Sequence, residues 1–388
     1  MTFKQLTGKL HLWLGLASGL IVFIISITGC ILAFETEIKE LTEPYQFTKP
    51  ISGKILPPSQ LKKIASKHTP GNKVNSIEYK GAPYSAAAYA FGEDFYWKVY
   101  LNPYTGKVLK VSDMDKDFFH IVLHGHFYLW LPESIGQPVI ASATLIFAIM
   151  LISGLILWWP KNSSAAKQRF SFKWKETTKW KRKNYDLHNI LGFYAMAFAL
   201  ILALTGLVWG FQWFSKSVYW ATSGGKSLPA YNRPLSDTTI TPSASNEGQM
   251  IDLLWSKAVK ANPGHSLSVN MPGDHKDPIS INVNPARGTY YKADNSYFDQ
   301  YTGKPLPDGE GPYNIKYENS GFGNKLRRMN YDIHVGAILG LPGKILVFCI
   351  SLICASLPLT GFYIWWGRNK KQKKDKLKSK NKATLQTV

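Results

Sequence analysis

Four stretches without a charged side chain constrain this sequence more than anything else in it: Leu12 to Phe34, Ile135 to Pro160, Leu187 to Ser215 and Ile345 to Gly367. At about 1.5 Å per residue each is long enough to cross roughly 30 Å of hydrocarbon. In lipid every backbone polar group must be answered within the protein, so each is expected to be a helix. The reading is a membrane α-helical bundle of four transmembrane helices, not a soluble globular domain. The three cysteines, Cys30, Cys349 and Cys354, all lie inside these stretches, where they neither staple an exported domain nor supply four thiolates to a cluster. Ile27-Thr28-Gly29-Cys30 resembles a lipoprotein cleavage box, but the apolar run continues through Phe34. Thr-Gly recurs at Thr205-Gly206 and Thr360-Gly361, and reads as a helix-packing feature.

A net charge of +21 raises the question of nucleic acid, and its distribution answers otherwise. Between Lys161 and Asp186 there are nine Lys/Arg against two acids, and from Arg368 to the end nine against one. That is the positive-inside pattern, so both termini and the middle loop are expected in the cytoplasm. The basic tail is a solvated anchor against anionic lipid, with no nucleic-acid partner expected.

The chain also repeats a unit of helix, external segment, helix. His11 is followed at +4 and +18 by Gly15 and Gly29, and His188 at the same offsets by Gly192 and Gly206. His124 precedes Pro132, Gly154 and Trp158-Trp159 as His334 precedes Pro342, Gly361 and Trp365-Trp366. Tyr100 to Leu109 parallels Tyr297 to Leu306, each a hairpin tip with a Thr-Gly turn. Two external α+β units follow. The first has a helix over Ser59 to His68 and strands at Ser76 to Tyr79, Ala86 to Phe91 and Tyr96 to Tyr100. The second has a helix over Gln249 to Ala261 and strands at Ile279 to Val283 and Thr289 to Lys292. Before it, Ser223 to Glu247 is a Gly/Pro/Ser/Asn-rich covering segment. The expected domains are a first span (1–35), an external domain (36–117), an interfacial helix with the second span (118–160), a basic loop (161–186), a third span (187–215), a second external domain (216–326), an interfacial helix with the fourth span (327–367) and a basic tail (368–388).

Histidines carry the functional expectation. His11 and His188 fall at the inner ends of spans one and three, His124 and His334 at the outer ends of two and four. Ionisable residues at membrane depth are costly and usually have a partner or a task. Zinc wants three or four converging ligands, which the neighbourhood of His120 and His124 does not supply. A haem needs only two axial imidazoles from facing helices, so two pairs suit two haems, one near each membrane face. The bland alternative is interfacial hydrogen bonding. His120, one turn before His124, is the alternative outer ligand or a proton relay, and His126 reads as a polar surface residue. Gly15, Gly19, Gly192 and Gly206 either leave room for a macrocycle or serve helix packing. Lys9 and Lys183 at one rim, and Arg327, Arg328 and Lys344 at the other, are candidates for haem propionates or for lipid headgroups.

At Phe119-His120-Ile-Val-Leu-His124, at Tyr185-Asp186-Leu-His188-Asn-Ile-Leu-Gly192-Phe-Tyr194 and at Thr360-Gly361-Phe-Tyr-Ile-Trp-Trp366 the sequence resembles the PepSY-associated transmembrane family, from about Lys4 to Arg368. The resemblance implies a bacterial inner-membrane protein with two periplasmic PepSY-like domains and two b-type haems, acting as a ferric-siderophore reductase in iron uptake. It carries ligand roles onto His11, His188, His124 and His334. One electron delivered outside the membrane would loosen a siderophore's grip on iron, because ferrous iron is bound far less tightly than ferric. No Gly-x-Gly-x-x-Gly nicotinamide fingerprint is present, so a quinol or a separate cytoplasmic reductase is the expected donor. Two other readings stay open: a non-redox PepSY protein that binds a peptide or restrains a protease, and a di-haem reductase of another small acceptor.

Overall fold

A computed structural model describes residues 1–50, 53–160, 162–239, 247–307, 311–313 and 315–384. In chain order its longer helices are α1 (Phe3–Ala33), α2 (Glu35–Thr42), α3 (Pro58–Ala65), α4 (Phe118–Tyr128), α5 (Glu133–Trp158), α6 (Ser163–Arg169), α7 (Trp180–Asp186), α8 (Gly192–Gly210), α9 (Gln212–Thr222), α10 (Glu247–Ala261), α11 (Phe322–His334) and α12 (Gly340–Thr384). The strands are β1 (Ser76–Tyr79), β2 (Ala86–Phe91), β3 (Tyr96–Leu101), β4 (Val108–Asp113), β5 (Ser266–Asn270), β6 (Ile279–Asn284) and β7 (Asp294–Phe298).

Two compact units result. One comprises Met1–Ala33, Val122–Gln212 and the chain from Leu341 onward; the other comprises Phe34–Ile121 and Trp213–Gly340. The first unit carries the bundle. Its membrane-crossing candidates are Phe3–Ala33, Glu133–Trp158, Trp180–Gly210 and Ala337–Lys371, so the chain is a multi-pass membrane protein with the bilayer as its partner. The third is not a regular helix, because a π-helical turn at Leu187–Leu191 joins α7 to α8. Small residues let the helices approach: Ala195 and Ala199 of α8 pack with Leu151 of α5 and with Ile350 and Cys354 of α12. Gly15, Gly19 and Gly192 face the side chains of Met150, Pro358 and Leu357, so these three glycines serve packing.

The second unit is built on one antiparallel sheet of order β4-β3-β2-β1-β5-β6-β7. The two external segments therefore do not form separate sheets. They join edge to edge through β1 and β5, with Ser76 opposite Asn270 and Tyr79 opposite Leu267. The physical reason is the edge itself: pairing β1 with β5 satisfies two rows of backbone groups that separate domains would leave open. Alternation places Ile77, Ala88, Val99, Val269 and Ile281 on one face, under Leu61 of α3 and Ile251, Leu254 and Trp255 of α10. Each fully buried aliphatic side chain there contributes about 1.5–3 kcal/mol. Asp252 ties the two helices by accepting from the Ser59 amide (2.9 Å) and hydroxyl (2.5 Å).

Residues 289–292 are not a strand, contrary to expectation. The amides of Tyr290 and Tyr291 donate instead to the carboxylate of Asp332, at 2.8–3.1 Å, and the strand starts at Asp294. The covering segment lies over the β6–β7 hairpin where described: Asp237 donates its amide to Asp299 (2.7 Å) and the Tyr231 and Tyr297 hydroxyls are 3.2 Å apart. Its residues 240–246 lie outside the described chain.

Candidate functional site

At one end of the bundle two imidazoles face each other. His11 lies near the start of α1 and His188 in the π turn, and their ring centroids are 6.5 Å apart with planes at 89°. A π turn inserts one extra residue into a helix and so turns the side chains on it relative to those that follow. The turn is fixed from α7: buried Asn184 donates to the Thr360 carbonyl (3.0 Å), and buried Asp186 accepts from Trp174 (3.1 Å) and Arg182 (2.9 Å).

Hydroxyls on neighbouring helices set the protonation of both rings. Ser153 of α5 donates to the Met150 carbonyl at 3.0 Å, which spends its proton, and its oxygen lies 2.9 Å from His11 Nδ1. Thr360 of α12 donates likewise to the Ser356 carbonyl at 2.9 Å, and its oxygen lies 2.9 Å from His188 Nδ1. A hydroxyl whose proton is committed to a carbonyl can only accept from the ring, so each Nδ1 carries a hydrogen, and in the neutral ring Nε2 then keeps its lone pair. The residue after each hydroxyl is a glycine, against which the ring packs closely. A Cβ on Gly154 would stand 3.4 Å from His11 Cε1, and one on Gly361 3.2 Å from His188 Cε1.

The same construction recurs toward the far end of α1. Thr28 donates to the Ile24 carbonyl at 2.8 Å, its oxygen lies 2.9 Å from Nδ1 of His126 on α4, and a Cβ on Gly29 would meet His126 Cε1 at 3.4 Å. His126 is thus no surface residue. His124, two positions earlier and so nearly opposite around the helix, is exposed, with its ring 5.1 Å from Tyr128. Thr28-Gly29 and Thr360-Gly361, read in the sequence as packing features, each seat an imidazole. Ser153-Gly154 has the same role, with serine in place of threonine. Thr205 of α8 makes the same back-bond, to Ile201 at 2.8 Å.

The remaining candidates lie elsewhere. His120 belongs to the sheet-bearing unit, its ring 5.5 Å from Tyr96 and 4.0 Å from an Asp115 oxygen. His334, the last residue of α11, is half-buried in that unit. Lys9 is exposed, Lys183 sits 5.7 Å from the Trp174 ring, and Lys344 is half-buried. Arg327 donates to Ser215 at 3.0 Å. Arg328 is 1% exposed and donates to the carbonyls of Tyr291, Ala293 and Ile315 and to Asp294 (2.8 Å), between the rings of Tyr313 and Tyr317. It is a structural clamp, with four of its five N–H donors spent inside the sheet-bearing unit.

Chemically, the pair at 6.5 Å suits one metal between two nitrogens. Two metal–nitrogen bonds of about 2 Å each, plus the half-width of each ring, place the centroids about 6 Å apart. Among the described residues no group of three or more His, Cys, Asp or Glu side chains converges as a metal site. The donor set present is therefore two imidazoles, a set that can hold a haem iron from both sides.

The family of the PepSY-associated TM region matches residues 9–368. The chain belongs to that family. Compared with curated proteins it matches none. The matched range spans all four apolar helices and the sheet, so membership covers the whole architecture and not one segment of it.

Proposed function

We propose that the protein is an inner-membrane di-haem b reductase that passes electrons across the bilayer to ferric iron outside, in the form of a ferric siderophore. The single observation that carries this reading is the His11–His188 pair, with its 6.5 Å separation and both Nδ1 atoms engaged. Those two residues would hold one haem; by the same tautomer argument His126 would serve the other, in place of His124. Bound there, haem supplies one-electron chemistry at two depths of the membrane. Ser153, Thr360 and Thr28 orient the imidazoles and keep the hydrogen on Nδ1, and the apolar helices exclude water. Along α1, His11 and Thr28 lie about 25 Å apart at 1.5 Å per residue, close to a bilayer's hydrocarbon thickness. The basic segments 161–186 and 368–388 support an orientation with both termini in the cytoplasm and the sheet in the periplasm. A quinol or a cytoplasmic reductase supplies the electrons.

Purified protein from haem-sufficient cells is expected to give a low-spin b-type spectrum with about two haems per chain by pyridine haemochrome. His188→Ala removes one of the two signals, and His126→Ala or His334→Ala the other. Dithionite-reduced protein is expected to be reoxidised by ferric siderophores faster than free haem is. A second reading, a non-redox protein that binds a peptide, draws on a pocket of about 470 Å³ on the sheet, lined by Ser76, Glu78, Tyr89, Phe91, Tyr96 and Ser268. A colourless preparation would favour it. Coloured protein indifferent to siderophores would point to a different acceptor.

A further inference from the structure

The His11–His188 end of the bundle holds a polar group that the reading above leaves unused. Trp158, the last residue of α5, is 5% exposed, and among the described residues its buried indole Nε1 has no hydrogen-bond partner. Buried donors are nearly always answered, so an unanswered one asks for an explanation. The ring cannot swing out to find water. It is stacked on Phe193 at 3.7 Å and 8°, with Phe170 perpendicular to it at 5.0 Å. Phe170 is also perpendicular to Phe193, at 5.4 Å, which places it beside the stack. An aromatic face there is at best a weak acceptor.

Position and charge say what is missing. Trp158 is four residues beyond Gly154, the glycine against the His11 ring, so it lies on the same face of α5, one turn nearer the helix end. Two cations attend that end: Arg169 donates to the carbonyls of Leu157 (3.3 Å) and Trp158, and Lys4 donates to the carbonyl of Trp159 (3.3 Å). A rigid buried N–H beside cations is a seat for an anionic oxygen.

We propose that the Trp158 indole N–H donates to a carboxylate of the ligand held between His11 and His188, which for a b-type haem is one of its two propionate arms. The proposal rests on the haem reading of that pair. Trp365 of α12 is the internal comparison. It stands four residues beyond Gly361, the glycine against His188, but is only half-buried, so water or a lipid headgroup can answer its N–H.

Trp158→Phe keeps an aromatic ring in the stack and removes only the donor. In the purified full chain, three quantities are read: haem content, the propionate-bending band in resonance Raman, and the pH dependence of the midpoint potential of the haem that His188→Ala removes. The expected result is retained haem, a shifted propionate band and a lower potential, because a carboxylate without its donor holds more negative charge and favours ferric iron. The pH at which the potential bends moves upward, since the same carboxylate is then easier to protonate. Trp365→Phe gives a smaller shift in each. Haem-loaded Trp158→Phe with a wild-type band and potential would overturn the assignment. A colourless wild-type protein would sink the haem reading itself, a different result. If Trp158→Phe does not hold haem, benzothienylalanine at position 158, which keeps the bicycle without the N–H, is read in the same way against the same outcomes.

Discussion

A serine or threonine hydroxyl that has given its proton to its own helix becomes an acceptor that dictates which nitrogen of a histidine carries hydrogen. Ser153, Thr360 and Thr28 do this for His11, His188 and His126. Groups that orient a metal-binding histidine are worth about 10–100-fold in affinity. Thr360→Val, which keeps the shape and removes the acceptor, is therefore expected to weaken haem retention at the His188 site about tenfold, read as haem lost during dilution. His124→Ala is expected to leave both haem signals intact while His126→Ala removes one; the reverse would restore the assignment read from the repeat. Arg328 acts on stability alone. Arg328→Met removes a buried cation's four hydrogen bonds and leaves the Asp294 carboxylate without it, and is expected to cost about 3 kcal/mol, seen as earlier thermal unfolding with the His11–His188 spectrum unchanged before the transition.

Secondary structure contributes presentation. The π turn at Leu187–Leu191 is a one-residue insertion, and deleting Asn189 would restore regular pitch while turning His188 by about 100° relative to α8. The expected variant inserts and purifies normally but holds one haem fewer, measured by haemochrome against protein. Strand β3 carries a different tension. Lys98 projects over the rings of Tyr89 (5.0 Å) and Tyr100 (4.6 Å), and burial, reinforced by nearby Lys80, lowers its ammonium to about 8. Below that pH both folded and unfolded chains hold the proton, and the cost of burying the charge is fully present. As pH rises from about 8 toward the ordinary lysine value of about 10.4, the unfolded chain holds more protons than the folded one, so this group's contribution to stability rises. Lys98→Met is expected to raise the unfolding temperature at pH 7 and to flatten that rise, measured by thermal scans across the window.

Across the whole molecule, the pairing of β1 with β5 makes two distant chain segments one folding unit. Ser76 and Asn270 are cross-strand partners, and such pairs lie within the span a disulfide bridges, about 4.4–6.8 Å between Cα atoms. A Ser76→Cys, Asn270→Cys double variant is expected to cross-link under mild oxidation, so that fragments cut in the basic loop between them stay joined on a non-reducing gel. Separation of the fragments would show that the sheet does not form as described.

Length and apolarity alone fix the four spans, since lipid leaves a segment of that kind no option but a helix. Alternation was enough for β1, β2, β3 and β6, and amphipathic spacing for α3 and α10, because those patterns follow from which face meets the core. Other features came only with the tertiary structure. Residues 289–292 alternate like a strand, yet a carboxylate forty residues away takes their amides. The sequence repeat favours His124 over His126, and only the packing of α4 against Thr28-Gly29 reverses that choice. The π turn leaves no local signature, since its extra residue is stabilised by Asn184 reaching α12. Local chemistry decides which elements form; which nitrogen, carbonyl or edge each side chain meets depends on contacts between residues far apart in the chain.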